Sequence, residues 1–171
     1  MIINQNKTTQ LTSGALGIVV VCISTRVIQI PIPLGYAHLG NASILLFSAY
    51  FDPVMAGLVA GIGSALADLL SFPVWMIPTL LIKFVMGAVC SWIMNGKESK
   101  NRIRRVSSLR TFAAVVFATV EMVIGYTIAG TVLYGSAAAG VTQVPGLTIE
   151  GVIGIILFYV VYSVLSRYSH D

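Results

Sequence analysis

Charge is what this sequence has least of: Asp, Glu, Lys and Arg make up 9% of its 171 residues, while 57% are apolar. A water-soluble domain of that length has no use for so much hydrocarbon, so the composition points to a helical membrane protein. Cysteine is equally thin. Cys22 and Cys90 both sit inside apolar runs, which argues against a disulfide framework and marks them as small core residues. Of the two histidines, His170 is in the tail and His38 has no second His or Cys beside it, so no metal site is expected. There is no G-x-x-x-x-G-K-S/T phosphate loop, so the chain is not expected to bind and hydrolyse ATP by itself. Serine, cysteine and histidine are not arranged for nucleophilic attack, which argues against an intramembrane enzyme. The two halves show no evident internal repeat of the kind common in secondary transporters.

What is present is a series of long apolar runs. The most instructive is Pro53–Leu70, in which Ala56, Ala60, Ser64 and Asp68 recur every four residues beside a second ridge of Gly57, Gly61 and Ala65. In water its glycines would each cost about 1 kcal/mol relative to alanine. In a bilayer they let neighbouring backbones approach closely. Six spans are predicted: Leu11–Ile30, Leu39–Phe51, Pro53–Leu70, Met76–Met94, Thr111–Val132 and Leu147–Leu165. The second is short, since ~30 Å of hydrocarbon normally takes about 20 residues. Either it begins inside the protein or the preceding loop, 31–38, folds back into the bundle. A longer Gly- and Ala-rich outer segment, Leu133–Gly146, joins the last two spans. Eight of the ten Lys and Arg lie in the two tails or in Lys97–Arg110. The positive-inside rule therefore places both termini and the loop at about 96–110 in the cytoplasm. A nucleic-acid site is the weak alternative for that loop. The polar leader with Lys7 has no small-x-small cleavage site after it, so the first run is expected to stay as a span. The expectation is an all-α, multi-pass protein of the cell membrane, 1–171 forming one six-helix transmembrane domain.

This topology turns sequence positions into depths. Arg26, Asp68, Lys83, Glu121 and Glu150 all fall at the midplane or outward of it, with Asn41 opening the second span from the same side. Each isolated charge at the centre of a bilayer costs at least about 2.5–3.5 kcal/mol, so such a group implies a shared, partly wet cavity. Structural ion pairs, such as Arg26 with Asp68 or Lys83 with Glu121, are the alternative. Glu121 lies deepest, with Ala114, Ala118, Gly125 and Ala129 as small neighbours at helical spacing, and Lys83 has Gly87 and Ser91 on its ridge. His38 reads as a lid or surface residue. Tyr36, Phe72, Trp75, Tyr126 and Tyr134 gather on the outer side, where aromatics form interfacial belts. Together with the polar groups they also suit a small planar heterocycle. The candidate ligand-binding set is Tyr36, His38, Asn41, Trp75, Lys83, Glu121, Tyr126 and Glu150.

Several runs in order resemble one family. His38-Leu-Gly-Asn41, Asp52-Pro53-Val with Gly57, Gly61-Ile-Gly63-Ser64-Ala-Leu-Ala67-Asp68, and Leu81-Ile-Lys83-Phe-Val-Met-Gly87 are similar to the substrate-binding S component of an energy-coupling factor (ECF) vitamin transporter. Glu121-Met-Val-Ile-Gly125-Tyr126 resembles its fifth helix, and Val144-Pro-Gly146 with Glu150-Gly151 its entry into the sixth. The resemblance implies a subunit that captures a vitamin or precursor from outside and topples in the membrane to release it. It implies a transmembrane coupling subunit and two ATPase subunits as partners, with ATP and magnesium on those ATPases and no cofactor in this chain. The layout looks closest to S components assigned to hydroxymethylpyrimidine or pyridoxine-type compounds. In the family, small residues of the first helix, often alanine-x-x-x-alanine, face the coupling subunit. Here Val19 follows Ala15 four residues on, and Ser13, Gly14, Ala15 and Gly17 are the candidates. A small proton-coupled secondary transporter with Glu121 titrating, or a structural subunit of a membrane complex, are the competing expectations.

Overall fold

The structure, a computed structural model, describes residues 7–27, 29–32, 35–95 and 108–168. The basic loop 96–107, His170 and the polar leader ahead of Lys7 lie outside the described residues. The elements run α1 (Lys7–Val27), β1 (Gln29–Ile32), β2 (Gly35–His38), α2 (Gly40–Tyr50), α3 (Pro53–Ser71), a single 3-10 turn at Pro73–Trp75, α4 (Met76–Asn95), α5 (Leu109–Tyr134), α6 (Ala137–Thr142) and α7 (Val144–Tyr168). Helix boundaries follow local chemistry. The Asp52 carboxylate accepts from the Met55 N–H at 3.1 Å, with Pro53 in the first helical position of α3. Ser108 caps α5 by accepting from the Thr111 N–H at 3.1 Å, and Gly135, left-handed at φ 65°, ends it.

Among the described residues, five helical stretches are long and apolar enough to cross a membrane: Thr8–Val27, Pro53–Ser71, Pro73–Asn95, Leu109–Tyr134 and Ala137–Leu165. They coincide with five of the six expected spans. The second expected span is present as α2, but α2 has only eleven residues. At 1.5 Å per residue it covers about 16 Å, roughly half of a hydrocarbon core. Residues 29–32 and 35–38 form an antiparallel hairpin in which Gln29 pairs with His38 and Ile32 with Gly35, so the fold is nearly all-helical and not all-α. The second strand packs on the bundle through Tyr36, whose hydroxyl meets Asp68 of α3. The other end of α2 is secured from α4. Ser91 Oγ donates to the Phe51 carbonyl at 2.7 Å, and Asn95 Nδ2 donates to the carbonyls of Ser48 and Phe51 at 3.1 and 3.3 Å. These bonds satisfy carbonyls that a helix end leaves without intrahelical partners.

Small residues set the spacing between helices. A Cβ on Gly87 would lie 2.6 Å from the Ala56 carbonyl oxygen, and one on Gly61 2.7 Å from that of Leu80, so α3 and α4 meet backbone to backbone. On α1, Val21 and the Ile18 carbonyl fill the space beside Gly63 of α3. Val21, Ile44, Leu45, Val59, Met86, Val115, Met122 and Phe158 form the fully buried core. Large apolar side chains such as Leu16, Val20, Leu81, Phe117, Ile128, Ile156 and Val160 point outward, which a bilayer covers and water would not.

Candidate functional site

The site is assembled at the hairpin end of the bundle around Lys83. This lysine of α4 is 0% exposed. Its ammonium donates to Asn41 Oδ1 at 2.5 Å and to Met122 Sδ at 3.0 Å, and it lies 3.9 Å from Glu150 Oε1. The Tyr126 ring stands beneath it at 5.3 Å, a cation–π arrangement. Asn41, in the first turn of α2, links the two charges. Its amide oxygen takes the lysine while its Nδ2 donates to Glu150 Oε1 at 2.7 Å and approaches Met122 Sδ at 3.2 Å. That orientation of the amide is the one chemistry allows between a donor-only ammonium and a carboxylate. Gly154 of α7 makes room for it, since a Cβ there would lie 2.8 Å from that of Asn41. Four helices therefore contribute to one buried network.

The hairpin closes over this network. His38 Nδ1 accepts from the Gly40 N–H at 3.1 Å, so its proton sits on Nε2. Burial, and then the Lys83 charge, hold the imidazole well below the ordinary histidine pKa. The 3.5 Å approach of Glu150 Oε1 to Nδ1 is therefore a contact with a neutral ring and not an ion pair. Tyr36 donates its hydroxyl to Asp68 Oδ1. Burial and that bond push the phenol above its ordinary pKa and keep it a donor. Arg26 and Gln29 both donate to Ser71 Oγ, pinning the base of the hairpin to the end of α3.

Aromatic rings build one wall. Trp75 lies 5.7 Å from Tyr126 and 6.2 Å from Tyr134 between ring centroids, and Tyr36 lies 5.4 Å from Phe72. Tyr126 also shares a 2.9 Å hydrogen bond with Thr79 of α4.

The expected residues thus divide. Asn41, Lys83, Tyr126 and Glu150 meet directly, with His38 above them, Trp75 against Tyr126, and Tyr36 on Asp68. Glu121 makes no hydrogen bond among the described residues; it is half-buried, and its Oε2 is enclosed without a partner. Neither of the two ion pairs considered from sequence forms: Arg26 bonds Ser71, and the carboxylate nearest Lys83 is that of Glu150. Met122 and Thr79 were missed. Each lies four residues from a candidate, Tyr126 and Lys83 respectively, and helical spacing would have found them. On α1, Gly14 faces Met55 and Gly17 faces Val59 and Phe51, so both pack inside the chain, while Ala15 points outward and Ser13 lies at the margin.

A bundle of apolar helices enclosing a polar network at one end defines a membrane protein, and its fold is that of a solved structure. The S component described under "Structure and mechanism of the S component of a bacterial ECF transporter" superposes with a TM-score of 0.77, covering 97% of this chain and 100% of that one, at 20% identity. The sequence agrees more specifically. The chain belongs to the family of ECF-type riboflavin transporter S components, whose model matches residues 5–167. It is also 34% identical over 146 residues to a protein of Pyrococcus woesei described as an uncharacterized protein in gap 3'region, over 80% of this chain and 93% of that one. Family membership makes it a multi-pass, non-catalytic, substrate-binding subunit of an ECF transporter. It also implies association with a transmembrane coupling subunit and ATPases.

Proposed function

We propose that this chain captures a small nitrogen heterocycle of the vitamin class from outside the cell and hands it to a coupling subunit served by two ATPase subunits. In this reading α2 is the sixth crossing with the hairpin at its outer end, both termini and the 96–110 loop are cytoplasmic, and ATP with magnesium binds only to the partners. The observation that carries it is the Lys83–Asn41–Glu150 network. It holds a donor, an amide and an acceptor within 4 Å of one another, beside the Tyr126 ring face. Ring nitrogens and hydroxyls would exchange with those bonds while the ring stacks on Tyr126 or Trp75. Tyr36, His38 and Glu121 complete the proposed set. The substrate proposed is hydroxymethylpyrimidine or a pyridoxine-like compound. The family's description favours riboflavin as the second reading.

Purified protein in nanodiscs, titrated calorimetrically with these three compounds, tests the choice. Submicromolar binding of one of the two single-ring compounds is expected, on the order of −8 kcal/mol or better. Binding of riboflavin alone would move the assignment to the second reading. Uptake by cells expressing this chain without coupling or ATPase subunits would defeat the ATP-driven scheme.

A further inference from the structure

The Thr79 hydroxyl fixes the direction of a chain of hydrogen bonds that joins the hairpin to three helices. Gly61 draws α3 onto α4 at the Leu80 carbonyl. On the hairpin side of that crossing, Asp68 of α3 and Thr79 of α4 are both buried, and their side chains are hydrogen-bonded. Tyr36 donates to the same carboxylate, at Oδ1. Thr79 Oγ1 also lies 2.9 Å from the Tyr126 hydroxyl of α5. A carboxylate only accepts, and a threonine hydroxyl has a single proton. Thr79 therefore donates to Asp68, its oxygen accepts on the other side, and the Tyr126 phenol is the donor. Protons point from Tyr126 to Thr79 to Asp68, and Tyr36 points at that carboxylate from the hairpin.

This direction acts on the Tyr126 ring. Hydrogen bonds in series polarise one another, so a phenol donating into a chain that ends on an anion gains electron density. That density reaches the ring face beneath the Lys83 ammonium, which lies 5.3 Å from the centroid, and a richer face attracts a cation more strongly. The same bond tethers the free end of the side chain, while Trp75 stands beside the ring at 5.7 Å.

We propose that Asp68 is a positioning residue of the ligand site, acting through Thr79 to hold the Tyr126 ring in place and electron-rich beneath Lys83. Tyr126 then offers the captured molecule its face, because its hydroxyl proton is already engaged. This rests on the heterocycle-binding reading above.

Thr79→Val is the cleanest test, since it removes the hydroxyl while keeping the bulk and every charge; Thr79→Ser keeps the hydroxyl. The full chain is prepared in nanodiscs with carbon-13 at tyrosine Cζ, a carbon whose signal moves toward its phenolate position when the phenol donates. The Tyr126 signal is assigned by its loss in Tyr126→Phe. In ligand-free protein, Thr79→Val should move that signal away from the phenolate position. Asp68→Asn should move it too, but not once Thr79→Val is present. An equal effect of Asp68→Asn in both backgrounds overturns the relay. Affinity for riboflavin, pyridoxine or hydroxymethylpyrimidine, whichever binds tightest, is expected to fall about fivefold in Thr79→Val and to stay within about twofold in Thr79→Ser. Equal losses in the two variants overturn the positioning role. Where a variant fails to fold, the unsubstituted protein decides, because a Tyr126 Cζ signal typical of a non-donating phenol contradicts the direction of the chain. If no probe binds the unsubstituted protein, the heterocycle-binding reading fails and the positioning role with it. Tight binding that Thr79→Val leaves unchanged removes the role alone.

Discussion

Lys83 has three protons to place and almost no water to place them in. Asn41, Met122 and the more distant Glu150 take them. Lys83→Met would leave Glu150 buried with only amide and imidazole neighbours. It is expected to destabilise the protein by about 3 kcal/mol, while Lys83→Met with Glu150→Gln recovers most of that loss. Neither variant should bind ligand; denaturation in mixed micelles alongside titration calorimetry checks both halves. His38 gives the pH response. The unfolded chain takes up its proton as pH falls through about 6.5, whereas the enclosed imidazole resists until well below. The unfolded state then holds more protons, so stability is full above that pH and is lost as pH falls. Melting temperatures measured from about pH 7.5 down to about pH 5 should decline, and His38→Gln should flatten the decline. At this scale Asn41, Lys83 and Glu150 were legible because a polar side chain in an apolar run announces itself. Met122 and Thr79 lay within reach, one helical turn from Tyr126 and Lys83, but a methionine and a threonine in a core are ordinary until packing shows what they face.

Among the elements, α2 is the one that departs from a plain membrane helix. Its last carbonyls are satisfied from a neighbouring helix, because Ser91 and Asn95 of α4 donate to them. Asn95→Ala frees the Ser48 carbonyl and leaves that of Phe51 to Ser91 alone, and is expected to lower stability by about 1–3 kcal/mol. Ligand affinity should hold, since Asn95 lies three turns of α4 from Lys83, and thermal melts with paired titrations would show it. The long helices were readable because each is an apolar run of membrane-spanning length between breakers. The hairpin was not: Pro31 and Pro33 read as a helix stop, and strand pairing depends on backbone groups that sequence does not display. Gly14 and Gly17 illustrate a deeper ambiguity. A stripe of small residues serves packing within a chain and between chains equally well, and only the presence of Met55, Val59 and Phe51 opposite decides it.

For the whole molecule, the proposed orientation has a direct test. In a variant carrying Cys22→Ala, Cys90→Ala and Lys100→Cys, a membrane-impermeant maleimide should react from the cytoplasmic side only. Reaction from outside would invert the topology. The hairpin bears on how the molecule floats. A two-stranded ribbon has backbone donors and acceptors along its free edges, and hydrocarbon cannot satisfy them. The ribbon therefore marks a waterline, and the lipid on that flank cannot rise past the start of α2. Asn41 is the second residue of that helix. A solute arriving from the hairpin side thus reaches the first polar anchor within about one helical turn of the water surface, with no long shaft to descend.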